Sequence, residues 1–377
     1  MRRGLISHSA SKTRVNALYP LHAGYFHRWP QRAICGHRRG RMSKRAVNQT
    51  GEDEIIARYF RPLAKHPAAL GLIDDCAALP MPAGSDLVLK TDAIVGGVHF
   101  FPDDPADKVA QKALRVNLSD LAAKGAKPEG FLLALALPGK IDRNWLKAFA
   151  RGLGKDAEAF GCPLLGGDTD RTPGPVTIAI TALGSLPRGS MVLRSGAKPE
   201  DRVMVTGTIG DAALGLALRQ ESAAVDRWAA LTRSQVAHLA ERYLVPQPRN
   251  AIAEALRRHA SAAMDVSDGL VGDFTKLCAA SGVSAEIDAM HVPLSDGARR
   301  LVAAEPAMLE RALTGGDDYE IVCTVPPKKA ASFQAAVAKA GVPLVEIGVV
   351  TKGPASPRFL DGSGKPLTFK QLSFSHF

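Results

Sequence analysis

The chain lacks the short signatures by which nucleotide-binding proteins are usually read. No GxxxxGK[ST] run occurs in its 377 residues, which excludes a P-loop, and no GxGxxG joins a strand to a helix, which excludes a Rossmann site. Kinase-type HRD and DFG motifs are missing too. No apolar run approaches the ~20 residues of a membrane helix, so no membrane partner is expected. Cysteine is scarce: the five (Cys35, Cys76, Cys162, Cys278, Cys323) are odd in number, widely spaced and free of any CxxC pair. That excludes a zinc site or a disulfide framework and fits a reducing, cytoplasmic compartment, each cysteine reading as a small buried hydrophobe.

Acidic residues are absent from residues 1–41, which hold nine Lys/Arg. The net charge of +11 belongs to this leader, because the remainder balances 39 basic against 37 acidic residues. A nucleic-acid partner is therefore not expected. With four histidines, scattered aromatics and little periodicity, residues 1–48 have poor prospects of folding alone. The leader shares the Arg-rich, acid-poor composition of organellar presequences. Met42, with Gly51-Glu52-Asp53-Glu54 beyond it, opens a more conventional start, so an upstream extension or misassigned start is the favoured reading. Length and composition otherwise indicate a globular protein of two domains, 49–187 and 188–377.

Strands and helices mix in both halves, which indicates an α/β (α+β) protein. Helical periodicity predicts Glu54–Leu63, Ala106–Lys124 and Asn144–Phe160, with strands at Asp86–Lys90, Gly130–Leu137 and Val176–Leu183. Thr91-Asp92 and Gly166-Gly167-Asp168 read as loops at strand ends. After a Gly/Pro-rich boundary near 187–199 come strand Arg202–Thr206, helices within Ser234–Arg258 and at Leu270–Ala280, strand Tyr319–Val325, helix Lys328–Ala340 and strand Val345–Val350.

What the chain does have is aspartate beside glycine and hydroxyl residues at five places: Asp74-Asp75, Thr91-Asp92, Gly167-Asp168-Thr169-Asp170, Asp265-Val266-Ser267-Asp268-Gly269 and Gly316-Asp317-Asp318. Any one of these is an ordinary turn or helix cap. Five together are harder to explain as turns, since dense carboxylates repel unless a divalent cation holds them. Hard oxygen ligands suit Mg²⁺, which bridges carboxylates to substrate phosphates. Asp265 and Asp268 straddle Ser267 just before a helix, whose amides and dipole favour a phosphate. Arg194 offers a guanidinium fork for phosphate oxygens, and His99 follows the Thr91-Asp92 segment as a candidate substrate contact.

With these segments in order, joined by Val116-Asn117-Leu118-Ser119-Asp120 and Arg194-Ser195-Gly196-Ala197-Lys198-Pro199, the chain from about Gly51 onward resembles the thiamine-monophosphate kinases. These belong to the superfamily of aminoimidazole ribonucleotide synthetase. The resemblance implies a two-domain fold, with an N-terminal α/β domain whose sheet pairs with that of a second subunit in a homodimer. It implies Mg²⁺-assisted transfer from ATP to thiamine monophosphate. Carried over by motif, Asp75, Thr91, Asp92, Asp120, Asp168, Asp265 and Asp268 fall at metal-ligand positions, and Gly167, Asp168, Arg194 and Ser267 at ATP contacts. His99, Asp317 and an aromatic near the C-terminus fall at substrate positions. The chain departs from the pattern at Asp317, where the family has Glu, and at Lys90, where it has a hydroxyl residue. For the aromatic, Gln371 is in register and Phe369 and Phe374 lie nearby; Phe374 is chosen, since a phenyl face suits a cationic thiazolium.

Overall fold

Strict alternation of side chains governs the N-terminal half of the computed structural model, which describes residues 52–140, 142–221, 225–353 and 356–374. The expectations for the leader and for Cys35 lie outside these residues. After a short helix α1 (Glu52–Ile55), the long strand β1 (Ser85–Val95) turns Val88, Lys90, Asp92 and Ile94 to one face and Leu87, Leu89, Thr91 and Ala93 to the other. Helix α2 (Ala106–Ala123) follows, then β2 (Lys127–Pro138), α3 (Arg143–Ala159), β3 (Leu164–Thr172) and β4 (Thr177–Pro187). The sheet order is β1-β4-β2-β3, antiparallel except between β2 and β3. That parallel step needs a crossover, and α3 supplies it. Asp142 starts α3 by accepting the Asn144 amide.

Ile94, Leu133, Leu135, Ile178 and Ile180 meet Leu114, Leu118, Phe149 and Leu153 in a core between this sheet and its two helices. Each such side chain contributes about 1.5–3 kcal/mol on burial. The opposite face of the sheet stays open, with Leu87, Leu89 and Leu132 exposed.

The second sheet collects β5 (Arg202–Thr206), β6 (Ala262–Val266), β7 (Ser284–Asp288), β8 (Glu320–Val325), β9 (Leu344–Thr351) and β10 (Arg358–Leu360) in the order β10-β7-β9-β5-β8-β6. Both β6 and β8 are buried at every position, which is why their sequences are mostly apolar and do not alternate. Around them lie α4 (Asp211–Gln220), α5 (Val225–Trp228), α6 (Arg233–Leu244), α7 (Ala253–His259), α8 (Leu270–Ser281), α9 (Asp296–Ala304), α10 (Ala307–Thr314) and α11 (Pro327–Lys339).

Helix α2 joins the two layers. It packs on β1 and β4, and also on β6, β8 and α7. Its polar residues Gln111, Lys112, Arg115, Asn117 and Ser119 are consequently buried with its apolar ones. Such residues persist inside a protein only when bonded. Arg115 and Gln111 share the buried Asp156 carboxylate of α3.

Two sequence expectations need correction. Thr91-Asp92 and Gly166 to Thr169 are not loops but lie inside β1 and β3, each residue paired in the ladder. Glycines and polar residues disguise these strands, because one face of the sheet is open and does not demand apolar side chains. The sequence reading also passed over β7, α9, α10 and β10, short elements whose stability comes from packing. Of the four described cysteines, Cys162, Cys278 and Cys323 are buried as expected, but Cys76 is exposed on the loop beside Asp75.

Candidate active site

Asp92 sits on the helix-facing side of β1, and its amide is held by the Asn117 side chain of α2 at 2.9 Å. One turn further along α2, Asp120 faces the same space. Lys90, two residues before Asp92 on the same face, reaches both: its Nζ lies 3.0 Å from Asp92 Oδ1 and 2.9 Å from Asp120 Oδ2. Across from them is Asp265, at the end of β6, and beyond it the 267–269 loop that starts α8.

The electrostatics bind these groups into one locus. Burial raises the Asp92 pKa; Lys90 opposes this, and the charges of Asp120 and Asp268 add to it. Asp265 is likewise raised by burial and then by Asp120, while a Ser119 hydrogen bond works the other way. Burial acts to lower the Lys90 pKa, yet Asp120 and Asp92 together overcome it and hold the ammonium above its ordinary value. The partly buried Tyr319 phenol is pushed far up by burial and by the charges of Asp317, Asp92, Asp265 and Asp120, so it stands amid all four.

Asp265 Oδ2 is buried and has no hydrogen-bond partner among the described residues. An unpaired carboxylate oxygen in this setting costs about 1–3 kcal/mol or more, which a bound cation would recover. The donors around it are all hard oxygens, the set that suits Mg²⁺. As they stand, no three His, Cys, Asp or Glu side chains among the described residues close into a chelating group. Lysines intervene: Lys90 between Asp92 and Asp120, and Lys276 between Asp268 (2.6 Å) and Asp273 (2.9 Å).

The 267–269 loop differs from expectation in one respect. The Ser267 and Asp268 amides both donate to Asp273 Oδ2, at 2.9 and 2.8 Å, so they are engaged within the helix's own first turn rather than turned toward a phosphate. Gly269 makes the bend at φ 110, and an added Cβ would strike the Thr314 backbone at 2.6 Å.

A second group adjoins the first. Lys112 of α2, 2% exposed, donates to Asp317 Oδ2 at 2.9 Å and to the His99 carbonyl at 3.0 Å. Its ammonium also lies 4.0 Å above the Tyr243 ring, whose hydroxyl donates to the same His99 carbonyl at 3.3 Å. The His99 ring is set by its Nδ1, which accepts the Val95 amide at 3.0 Å. Asp317 adopts φ 74 and donates its amide to the Ser267 carbonyl, tying this group to the aspartate loop. Lys112 and Tyr243 were missed from sequence. Their only signal was polar and aromatic character at positions that helical periodicity assigns to a buried face.

The other expected residues are placed as follows. The Phe374 amide donates to the Asp268 carbonyl at 3.0 Å and its side chain is half exposed, beside the site. Phe369 instead stacks edge-on against Phe359 of the core, at 5.7 Å. Arg194 is exposed, its carbonyl accepting the Ser281 hydroxyl at 2.9 Å, and its charge reaches Lys124 at the end of α2. Thr91 points to the open face, where Thr181 donates to its hydroxyl at 3.1 Å. Asp75 lies on an exposed loop, its amide bonded to Asp74. Asp318, neighbour of Asp317, is a fixture of the fold: it accepts the Gly210 and Ala212 amides where α4 begins.

The Asp168 side chain is exposed and, among the described residues, makes no hydrogen bond or ion pair. It belongs to β3, the opposite edge of the sheet from β1 and three strand spacings away, roughly 14 Å at about 4.8 Å per strand. Beside it Gly167 packs so tightly that a Cβ would lie 1.9 Å from the Leu133 carbonyl oxygen. Thr169, Asp170 and Arg171 line a cavity of about 520 Å³ with Tyr59, Lys140 and Arg143, at that far edge.

Comparison with known proteins bears on this arrangement directly. Residues 73–186 match the family "AIR synthase related protein, N-terminal domain", and residues 198–359 match its C-terminal counterpart. The thiamine-monophosphate kinase of Caulobacter vibrioides is 45% identical over 329 residues, 86% of this chain and 90% of that protein. The crystal structure of thiamine-monophosphate kinase from Stenotrophomonas maltophilia superposes with a TM-score of 0.73 at 36% identity, covering 84% of this chain and 96% of that one. AaThiL complexed with AMPPCP and TMP gives a TM-score of 0.67 at 30% identity, covering 79% and 89%. The chain belongs to the AIR synthase related family and, within it, to the thiamine-monophosphate kinases.

Proposed function

We propose that this protein transfers the γ-phosphoryl group of ATP to thiamine monophosphate, giving thiamine diphosphate and ADP. The observation that carries this reading is the convergence of Asp92, Asp120, Asp265 and Asp268 on one locus, with Asp265 Oδ2 buried and unpaired, in a chain 45% identical to a thiamine-monophosphate kinase. A phosphate oxygen of the substrate attacks the γ-phosphorus and the bond to the bridging β,γ-oxygen breaks, so no covalent enzyme intermediate is needed. Attacker and donor are both anions, and catalysis therefore rests on in-line positioning and charge neutralisation.

Asp92, Asp120, Asp265 and Asp268 are the residues that would hold Mg²⁺, with Asp75, Thr91 and Asp168 as further candidates. When bound, the metal neutralises the phosphate charge and fixes its oxygens. Arg194, Ser267 and Gly167 are assigned to ATP. His99, Asp317 and Phe374 are assigned to thiamine monophosphate, with Lys112 fixing the first two. Residues 49–187 and 188–377 are taken as the two domains. A homodimer joined through the open sheet face is part of the proposal, supported by Leu87, Leu89 and Leu132, which are 45%, 62% and 40% exposed there. A cytoplasmic location rests on the cysteine pattern; among the described residues no helix is long and apolar enough to cross a membrane.

The test is a coupled assay for ADP together with chromatography of the product. Thiamine diphosphate is expected from ATP, Mg²⁺ and thiamine monophosphate, and none from thiamine itself. Turnover of thiamine in place of its monophosphate would reassign the substrate.

A further inference from the structure

Lys90 is placed where a cation belongs. Strand pairing along all of β1 fixes its backbone, and the i, i+2 relation to Asp92 delivers both side chains to the same face. Its ammonium is shared between Asp92 Oδ1 at 3.0 Å and Asp120 Oδ2 at 2.9 Å, while 30% of the side chain remains exposed. Asp120 has no other ion-pair partner among the described residues, and neither does Asp92. Without Lys90, two carboxylates held by β1 and α2 would face each other and the buried Asp265, whose Oδ2 has no partner among the described residues. The Lys276 ammonium makes a similar bridge at Asp268 and Asp273, but its side chain is 44% exposed and it springs from a helix surface. Lys90 has less room to leave.

We propose that the Lys90 ammonium is a tethered cation that holds the Asp92 and Asp120 carboxylates together when no divalent ion is bound and competes with such an ion for them. The proposal rests on the reading of this locus as a Mg²⁺ site. It follows that folding does not depend on metal, and that divalent affinity at this pair is lower than the number of carboxylates would give. A fixed positive charge a few ångströms from a divalent ion is strongly unfavourable even at an effective dielectric constant of about 20.

The experiment uses the full chain and Mn²⁺ as the probe, with free Mn²⁺ followed by electron paramagnetic resonance. Wild type is compared with Lys90→Met, with Lys90→Gln, which keeps a donor for the carboxylates, and with Lys90→Arg, which keeps the charge. Either neutral variant is expected to bind Mn²⁺ about tenfold more tightly or more, or to bind one ion more. Lys90→Arg should titrate like wild type. Melting temperature gives a second readout: the neutral variants should melt lower than wild type in EDTA and recover with Mg²⁺. Equal Mn²⁺ binding by wild type and both neutral variants overturns the tethered-cation proposal and leaves the Mg²⁺ reading standing. Absence of Mn²⁺ binding in every variant overturns both.

Discussion

Asp317 and His99 come from segments more than two hundred residues apart, and a single buried lysine fixes their spacing. Lys112 directs its charge to Asp317 and one of its protons to the His99 carbonyl, so α2 holds both residues in addition to the bonds within their own segments. Truncating it strands the Asp317 carboxylate without its cation. Lys112→Met is therefore expected to raise KM for thiamine monophosphate about tenfold or more, with a smaller change for ATP, in steady-state kinetics. Asp317→Glu should follow the same split between the two substrates, because it moves the carboxylate by one methylene against a fixed ammonium. An equal change in both constants would remove Asp317 from the substrate site. Asp268 is a different case. Its side chain is 38% exposed and its one ion pair among the described residues is with surface Lys276, so Asp268→Asn is expected to leave the melting temperature nearly unchanged while lowering kcat by about 10²-fold or more.

At the scale of elements, the site depends on α2 lying correctly between two sheets. Its seat against α3 is set by Gly152: a Cβ there would come within 2.2 Å of the Asp107 carbonyl oxygen. Replacing a mid-helix glycine by alanine normally stabilises by roughly 0.5–1 kcal/mol. Here Gly152→Ala is expected to destabilise by about 1–3 kcal/mol, because the helices must separate. Thermal unfolding decides the sign. At the far end of α2, Lys124 donates to the Ala263 carbonyl at 2.7 Å. Burial and then the Arg194 charge lower its pKa to about 8, against the pull of Asp265 and Asp120. The unfolded chain binds this proton up to about 10.5 and the folded chain only to about 8, so the folded state gains stability as pH rises between those values. Relative to Lys124→Met, wild type should become more stable across that window; a parallel pH dependence in the two proteins would contradict the shift.

The elements of the fold were largely legible in the sequence because periodicity is a local signal. The helix over 106–124 and the strand Arg202–Thr206 were readable from the spacing of apolar residues alone. Thr91-Asp92 and Gly167-Asp168 misled, since a strand with one open face carries polar residues and glycine as freely as a loop does. The aspartates of the site were legible as a set, but their grouping was not. Nothing in the linear order shows that Asp92, Asp120, Asp265 and Asp268 meet while Asp168 lies across the sheet, or that lysines sit between them. Lys112 was hidden for the opposite reason, standing in a buried stretch where a charge has meaning only through its partner.

For the whole molecule, the open face of the first sheet is the feature that a single chain leaves unexplained. Leu89 is exposed on this face, on the edge strand β1, whose outer side has no strand partner among the described residues. Lysine on such a strand opposes association. Leu89→Lys is expected to convert a dimer to a monomer in light scattering, with little change in the circular dichroism spectrum; a wild type that is already monomeric would remove the proposed interface. Purified protein is given ATP and Mg²⁺ with thiamine monophosphate, thiamine or an unrelated phosphate monoester, beside the Asp268→Asn variant. Thiamine diphosphate is expected from thiamine monophosphate alone, and nearly none from the variant. Absence of thiamine diphosphate with wild type, or undiminished turnover by Asp268→Asn, would contradict the proposed function.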